Sequence, residues 1–396
     1  MKIGFASLGL LASFWAAALS AQPAAVPLTP EQAASFQKQA AQVLFWSQQQ
    51  RDENFRKMDS LFPALRVAAG EGVALARADS LVPALGGEAG ADALMDSLNM
   101  AGLLVLQDGK IRLERYRRGF APDQRWTSFS VAKSLTSSLV GAALKDGHIQ
   151  SLDDQVTAYI PELVGSAYEG VTVRQLLTMT SGVRWNEDYT DPDSEVARML
   201  VTPAPPGKHP LVAFMATLPR EVPSGSQWVY KTGETGLVGV LVEKATGKSL
   251  ADYLSEKIWR PYGMEKDAFW QVDVSGGNIG GCCLSATLRD YGRFGQFILE
   301  GGRAGGVQIL PESWVEEATA SQADIGVPGR GYGYQWWTGA DGSFAALGIF
   351  GQMIHVDPAN RLVIVTLSAW PKATAEELSA ARSAAIAKIT AAALAD

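Results

Sequence analysis

Histidine, cysteine and charge are all scarce in this 396-residue sequence, and each shortage removes a class of function. Only three histidines occur, His148, His209 and His355, and none stands in a His-x-x-x-His or Cys-x-x-Cys spacing, so metal-dependent hydrolysis has no sequence support. The two cysteines, Cys282 and Cys283, are neighbours, and a bond between adjacent residues closes no useful loop, which excludes a disulfide-stapled scaffold. Charged residues make up 19%, below the roughly 25% of an average soluble chain. The formal charge is -7 and no long basic run exists to neutralise phosphates, so a nucleic-acid partner is excluded as an expectation. A Gly-x-Ser-x-Gly elbow is absent as well, and with it the usual sequence mark of an α/β-hydrolase.

What is present is a large apolar content, 47%, enough for an extensive core. Lys2 followed by the apolar stretch 3–19 and the small residues Ala18, Ser20 and Ala21 has the layout of a secretory signal peptide over residues 1–21. Its removal would take the charge from -7 to -8 and leave no segment able to insert stably in a membrane, so the mature protein is expected in the periplasm or the medium. Residues 22–98, rich in Ala and Gln and punctuated by Pro63 and several glycines, read as a helical amino-terminal extension.

From residue 99 the pattern changes. Leu103–Leu106 and Ile111–Tyr116 flank an Asp108-Gly109 turn and predict a hairpin. An apolar helix is expected over Ser130–Leu144. Residues 151–273 alternate short helical stretches, among them Val173–Leu177, Leu237–Lys244 and Leu250–Trp259, with Pro and Gly, as an inserted helical lobe would. Strands return at Tyr332–Trp337, Phe344–Leu347, Gln352–Val356 and Leu362–Leu367, and an Ala-rich helix, Thr374–Leu394, closes the chain. The expectation is a mixed α and β domain over 99–396: one antiparallel sheet built from both chain ends, flanked by helices, with a cleft against the helical lobe.

Ser130-Val131-Ala132-Lys133 sets a hydroxyl and an amine three residues apart on one helical face, where the amine can take the hydroxyl proton without a histidine. Ser35-Phe36-Gln37-Lys38 repeats the spacing by chance; only Ser130 follows a strand hairpin and opens an apolar helix, whose positive end favours a developing oxyanion. Burial of Lys133 in the first turn would ease loss of its proton. Tyr230, after the turn Pro223-Ser224-Gly225, is the candidate for relaying that proton to the leaving group.

These segments resemble the serine β-lactamase and penicillin-binding-protein superfamily, in the class C-like branch that includes carboxylesterases and 6-aminohexanoate-dimer (nylon-oligomer) hydrolases. The resemblance runs through Phe129-Ser130-Val131-Ala132-Lys133-Ser134, Tyr159-Ile160-Pro161-Glu162-Leu163, Thr180-Ser181-Gly182, Pro223-Ser224-Gly225-Ser226 before Tyr230, Arg260-Pro261-Tyr262-Gly263-Met264, Ser285-Ala286-Thr287-Leu288-Arg289-Asp290 and Gly331-Tyr332-Gly333-Tyr334. It implies a transpeptidase-like fold, Ser130 as acylated nucleophile, Lys133 as base, Tyr230 as proton shuttle, and no metal or organic cofactor. Family members place a Lys-Thr-Gly on a late strand to hold a substrate carboxylate. Here Lys231-Thr232-Gly233 overlaps the tyrosine element, and the corresponding strand position, Ala346-Leu347-Gly348-Ile349-Phe350-Gly351, has no cation. A backbone N–H from Ile349 beside that of Ser130 still suffices as second oxyanion donor. Trp185-Asn186-Glu187-Asp188-Tyr189 resembles the nylon-oligomer hydrolases and makes Tyr189 a candidate for assisting amide substrates, while Trp185, Trp336 and Phe350 are candidates for lining an apolar cleft. The resulting expectation is an exported serine hydrolase acting on a small ester or linear amide. Its rivals are a β-lactamase or D-alanyl-D-alanine carboxypeptidase, and a noncatalytic binding protein on the same scaffold.

Overall fold

A computed structural model describes residues 29, 31, 38–40, 42–203 and 205–395. The expected signal peptide, and residues 35–37 of the chance Ser-Phe-Gln-Lys copy, lie outside the described residues. In chain order the strands are β1 (Ala64–Val67), β2 (Met100–Gln107), β3 (Lys110–Tyr116), β4 (Trp126–Thr127), β5 (Ala268–Gln271), β6 (Leu284–Ala286), β7 (Arg303–Ala304), β8 (Val307–Gln308), β9 (Ala323–Asp324), β10 (Arg330–Tyr332), β11 (Trp337–Gly339), β12 (Phe344–Gly348), β13 (Gln352–Asp357) and β14 (Leu362–Ser368).

Eight of them form an antiparallel sheet in the order β3-β2-β14-β13-β12-β11-β10-β9, which joins the early hairpin to the carboxy-terminal strands as expected. The hairpin turns at Asp108, whose φ of 51° and the φ of 73° at Gly109 suit the twist of the flanking strands. Strands β2 and β14 are buried along nearly their whole length, because the helix Leu288–Leu299 covers one face of the sheet. That helix packs closely: a methyl group at Gly295 would lie 2.5 Å from Val363 and 2.9 Å from Ile354. The terminal helix, Glu376–Leu394, buries Ile386 and Ile389 and reaches the short helix Leu81–Ala84 through Lys388, which donates to the Leu85 carbonyl.

The structure departs from the sequence reading in four places. The amino-terminal extension is not purely helical: β1 pairs with β5 and heads a second, four-stranded sheet, β1-β5-β6-β4. Its Phe55 is fully buried against Phe129 and Phe350, with ring centroids 5.0 and 5.2 Å away, so the extension shares the main core. Because β5 begins at Ala268, the end of the expected lobe belongs to a sheet. Tyr332–Trp337 is not one strand: Tyr332 ends β10, Trp337 begins β11, and residues 333–336 turn between them, closed by Gly333 N donating to Trp336 O, with Gln335 at φ 64°. The helix predicted over Leu250–Trp259 is α-helical only to Leu254 and then widens into a π-turn over Ser255–Trp259. Among the described residues no helix is long and apolar enough to cross a membrane.

Candidate active site

The helix expected from Ser130 opens with a single 3-10 turn, Phe129–Val131, and continues as the α-helix Ala132–Lys145. Its buried hydroxyls fix it to the surrounding loops: Thr136 donates to Gly280 O at 2.6 Å, Ser134 to Gln335 O and Ser137 to Tyr334 O, both at 2.7 Å. Such satisfied buried groups hold a helix in one position rather than letting it slide. Ser130 is buried at its start.

Lys133 Nζ sits 3.0 Å from Ser130 Oγ, 3.0 Å from Thr232 Oγ1 and 2.7 Å from the Gly281 carbonyl. Its side chain is 2% exposed. Desolvation lowers its pKa from 10.5 to about 8, against a smaller upward pull from the Glu187 carboxylate. The Tyr230 phenol faces the Ser130 side chain, and its ring lies 5.2 Å from the lysine nitrogen. Burial, reinforced by Glu187, pushes the phenol pKa up, so Tyr230 keeps its proton. Tyr230 is held in an aromatic box, stacked on Trp337 at 5.6 Å and edge-on to Tyr332 at 6.3 Å. The three polar groups read from the sequence therefore stand together.

Glu187, Thr232 and Gly281 complete the cluster. The Glu187 carboxylate accepts Thr232 N–H at 2.9 Å, at the start of the helix Thr232–Thr246 where an anion is favoured, and the Tyr189 hydroxyl at 2.7 Å. It also accepts from the Thr232 hydroxyl and the Trp185 indole, so its four lone-pair directions are occupied. The adjoining Lys231 is 1% exposed and faces Glu234 at 3.8 Å, turned to internal pairing rather than to the cleft.

Behind Ser130 runs the end of β12. A methyl group at Gly348 would come within 2.6 Å of Ser128 O and 3.2 Å of Ser130 N, so only glycine lets this strand approach the serine backbone. Phe129 and Phe350, the residues beside Ser130 and Ile349, both have positive φ, 43° and 59°, and their rings pack 5.3 Å apart. Such φ values are costly for bulky residues and persist where packing enforces them.

A cavity of about 200 Å³ opens beside Ser130, bordered at that end by Ser130, Tyr189, Thr232 and Ile349. Cys282 and Cys283, joined to one another by a disulfide, form part of its wall. Of the aromatic candidates only Tyr189 lines it. Trp185 instead orients Glu187. Trp336 is 1% exposed and sandwiched between Phe294 and Phe344, and Phe350 is fully buried with Phe55 and Phe129, so both are core residues and not cleft residues. Among the described residues no cluster of three His, Cys, Asp or Glu side chains is placed to hold a metal ion.

An antiparallel sheet from both chain ends, a covering helix, and a helical lobe facing a buried Ser-x-x-Lys turn define the β-lactamase and penicillin-binding-protein fold. The chain belongs to the β-lactamase family, whose model matches residues 91–388, and is a hydrolase of that family. It is 36% identical over 289 residues to the 6-aminohexanoate-dimer hydrolase of Paenarthrobacter ureafaciens, covering 68% of this chain and 72% of that protein. A solved Bacillus anthracis structure provisionally named a 6-aminohexanoate-dimer hydrolase superposes with a TM-score of 0.75 at 25% identity, over 86% of this chain and 93% of the other. A family VIII carboxylesterase shares the fold, with a TM-score of 0.59 at 16% identity, over 81% and 99% of the two chains.

Proposed function

We propose that the protein is an exported serine hydrolase that cleaves carboxylic esters or linear amides through an acyl-enzyme on Ser130. The observation that carries this reading is the contact of 3.0 Å between Ser130 Oγ and an amine whose pKa lies near 8. A neutral amine has two hydrogens and one lone pair. The Gly281 carbonyl can only accept, and the Thr232 hydroxyl spends its own hydrogen on Glu187, so it too accepts from Lys133. Both lysine hydrogens are thereby directed away, and the lone pair is left for Ser130. Glu187 acts as a positioning residue in this chain of bonds.

In the reaction Lys133 takes the Ser130 proton as the oxygen attacks the substrate carbonyl. The backbone N–H groups of Ser130 and Ile349 receive the developing oxyanion. Tyr230 gives its proton to the departing alcohol or amine and takes up the one held by Lys133; water, deprotonated in turn by Lys133, then attacks the acyl carbonyl and releases the acid as the proton returns to Ser130. Every group in this cycle belongs to the chain, so the reading calls for no metal or organic cofactor. Tyr189 lines the cavity beside Ser130, which supports it as a contact for bound substrate. The signal-peptide pattern of residues 1–21 supports export. Against the β-lactamase and carboxypeptidase readings stands the cavity lining, which among the described residues contains no lysine or arginine to hold a substrate carboxylate.

The purified protein is expected to react with a fluorophosphonate at Ser130 and to hydrolyse p-nitrophenyl acetate, with both activities lost in Ser130→Ala. Absence of labelling and turnover in the folded wild type would refute the proposal. Stable acylation by a penicillin would favour the penicillin-binding rival.

A further inference from the structure

We propose that residues 43–62 of the amino-terminal extension and residues 196–202 and 209–211 together build a binding pocket for an apolar acyl chain of about six to eight carbons, which makes medium-chain acyl esters or amides the preferred substrate class. The inference rests on the serine-hydrolase reading and specifies what that site accepts.

The cavity beside Ser130 is closed on one side by Val43, Leu44, Met58 and Phe62. All four lie before residue 91, where the family match begins. Val196, Met199, Leu200 and Leu211 line the cavity as well, and the disulfide of Cys282 and Cys283 supplies a further surface without charge. Among the described residues no lysine or arginine lines the space, so a chain ending in a carboxylate finds no cationic partner there. The titratable lining groups are His209 and Asp273, whose Nε2 and Oδ2 lie 3.9 Å apart; burial holds the His209 imidazole below its ordinary pKa. Asn278 is occupied elsewhere, donating to Trp270 O and accepting from Ala251 N.

Size sets the chain length. An apolar cavity of roughly 150 Å³ holds the six carbons of benzene. By proportion about 200 Å³ accommodates about eight carbons. Each methylene transferred from water into such a space multiplies kcat/KM by about three to four. Ser130 lines the same cavity, so an acyl chain lying in it can present its carbonyl to the serine.

The test is a series of p-nitrophenyl esters, from acetate through hexanoate, octanoate and dodecanoate, together with the 6-aminohexanoate ester. The expected result is a rise in kcat/KM of on the order of a hundredfold from acetate to hexanoate, a maximum at six to eight carbons, and a 6-aminohexanoate value well below that of hexanoate. Leu44→Asp and Leu200→Asp, both at half-buried positions, are each expected to lower the hexanoate-to-acetate ratio about tenfold. A flat series, or preference for the 6-aminohexanoate ester through Asp273, would overturn the inference while leaving Ser130 labelling and acetate hydrolysis intact. If Ser130 fails to label and no ester turns over, the hydrolase reading and this inference fall together.

Discussion

The rate should follow the ionisation of Lys133, and the direction is fixed by the mechanism. Only the neutral amine can accept the serine proton, so kcat/KM for p-nitrophenyl acetate should rise with pH at unit slope and level off above a pKa of about 8. With that pKa about one-tenth of the enzyme is in the active form at pH 7 and about nine-tenths at pH 9, a tenfold increase. A lysine at its ordinary 10.5 would be only about 0.03% neutral at pH 7, roughly 300-fold less, and its rate would still be climbing at pH 10. Tyr230 keeps its proton across this range, so no falling limb is expected below pH 10. Glu187 provides an internal control. Its negative charge raises the lysine pKa, so Glu187→Gln should move the inflection to lower pH. Initial rates in a constant-ionic-strength buffer series, with stability of the enzyme verified at each pH, measure both profiles. An inflection absent between pH 7 and 9, or one that moves upward in Glu187→Gln, would refute the reasoning.

Two substitutions test the geometry around the serine. Thr232→Val keeps the side-chain shape but removes the acceptor of a lysine hydrogen, and kcat is expected to fall about ten- to a hundredfold, with little change in melting temperature; unchanged kcat would show that the hydroxyl does not orient Lys133. Gly348→Ala drives a methyl into Ser128 O and separates β12 from the Ser130 backbone, so kcat should drop on the order of a hundredfold, as for loss of an oxyanion donor. Activity within twofold of wild type would remove β12 from the oxyanion site.

The parts of this architecture that were legible in the sequence are those with local causes. The Asp108-Gly109 turn marks the hairpin because positive φ is needed at both positions, and the three-residue spacing of Ser130 and Lys133 places both on one helical face. The strands β13 and β14 announce themselves as apolar runs bounded by turns. What was hidden depends on distant partners. Strand β1 is four residues long and exists because β5, some 200 residues later, pairs with it. Around Tyr332–Trp337 aromatic content imitates a strand, whereas Gln335 turns the chain and anchors its amide on the Leu177 carbonyl. Aromatic identity also could not separate cleft from core: Trp336 and Phe350 have the composition of binding residues but pack inside. Glu187 lay within a recognisable motif, yet its role depends on Thr232, 45 residues away, and Gly281 acts through a carbonyl that no side chain advertises.

The central claim is that a covalent acyl group forms on Ser130. Rapid acid quenching of the enzyme during hydrolysis of p-nitrophenyl hexanoate, followed by intact-mass and peptide mass spectrometry, tests it most directly. The account predicts a protein species heavier by one hexanoyl group, with the adduct on the peptide containing Ser130 and absent from Ser130→Ala. Steady turnover with no adduct at any quench time in the Tyr230→Phe variant, or an adduct on a different residue, would contradict it.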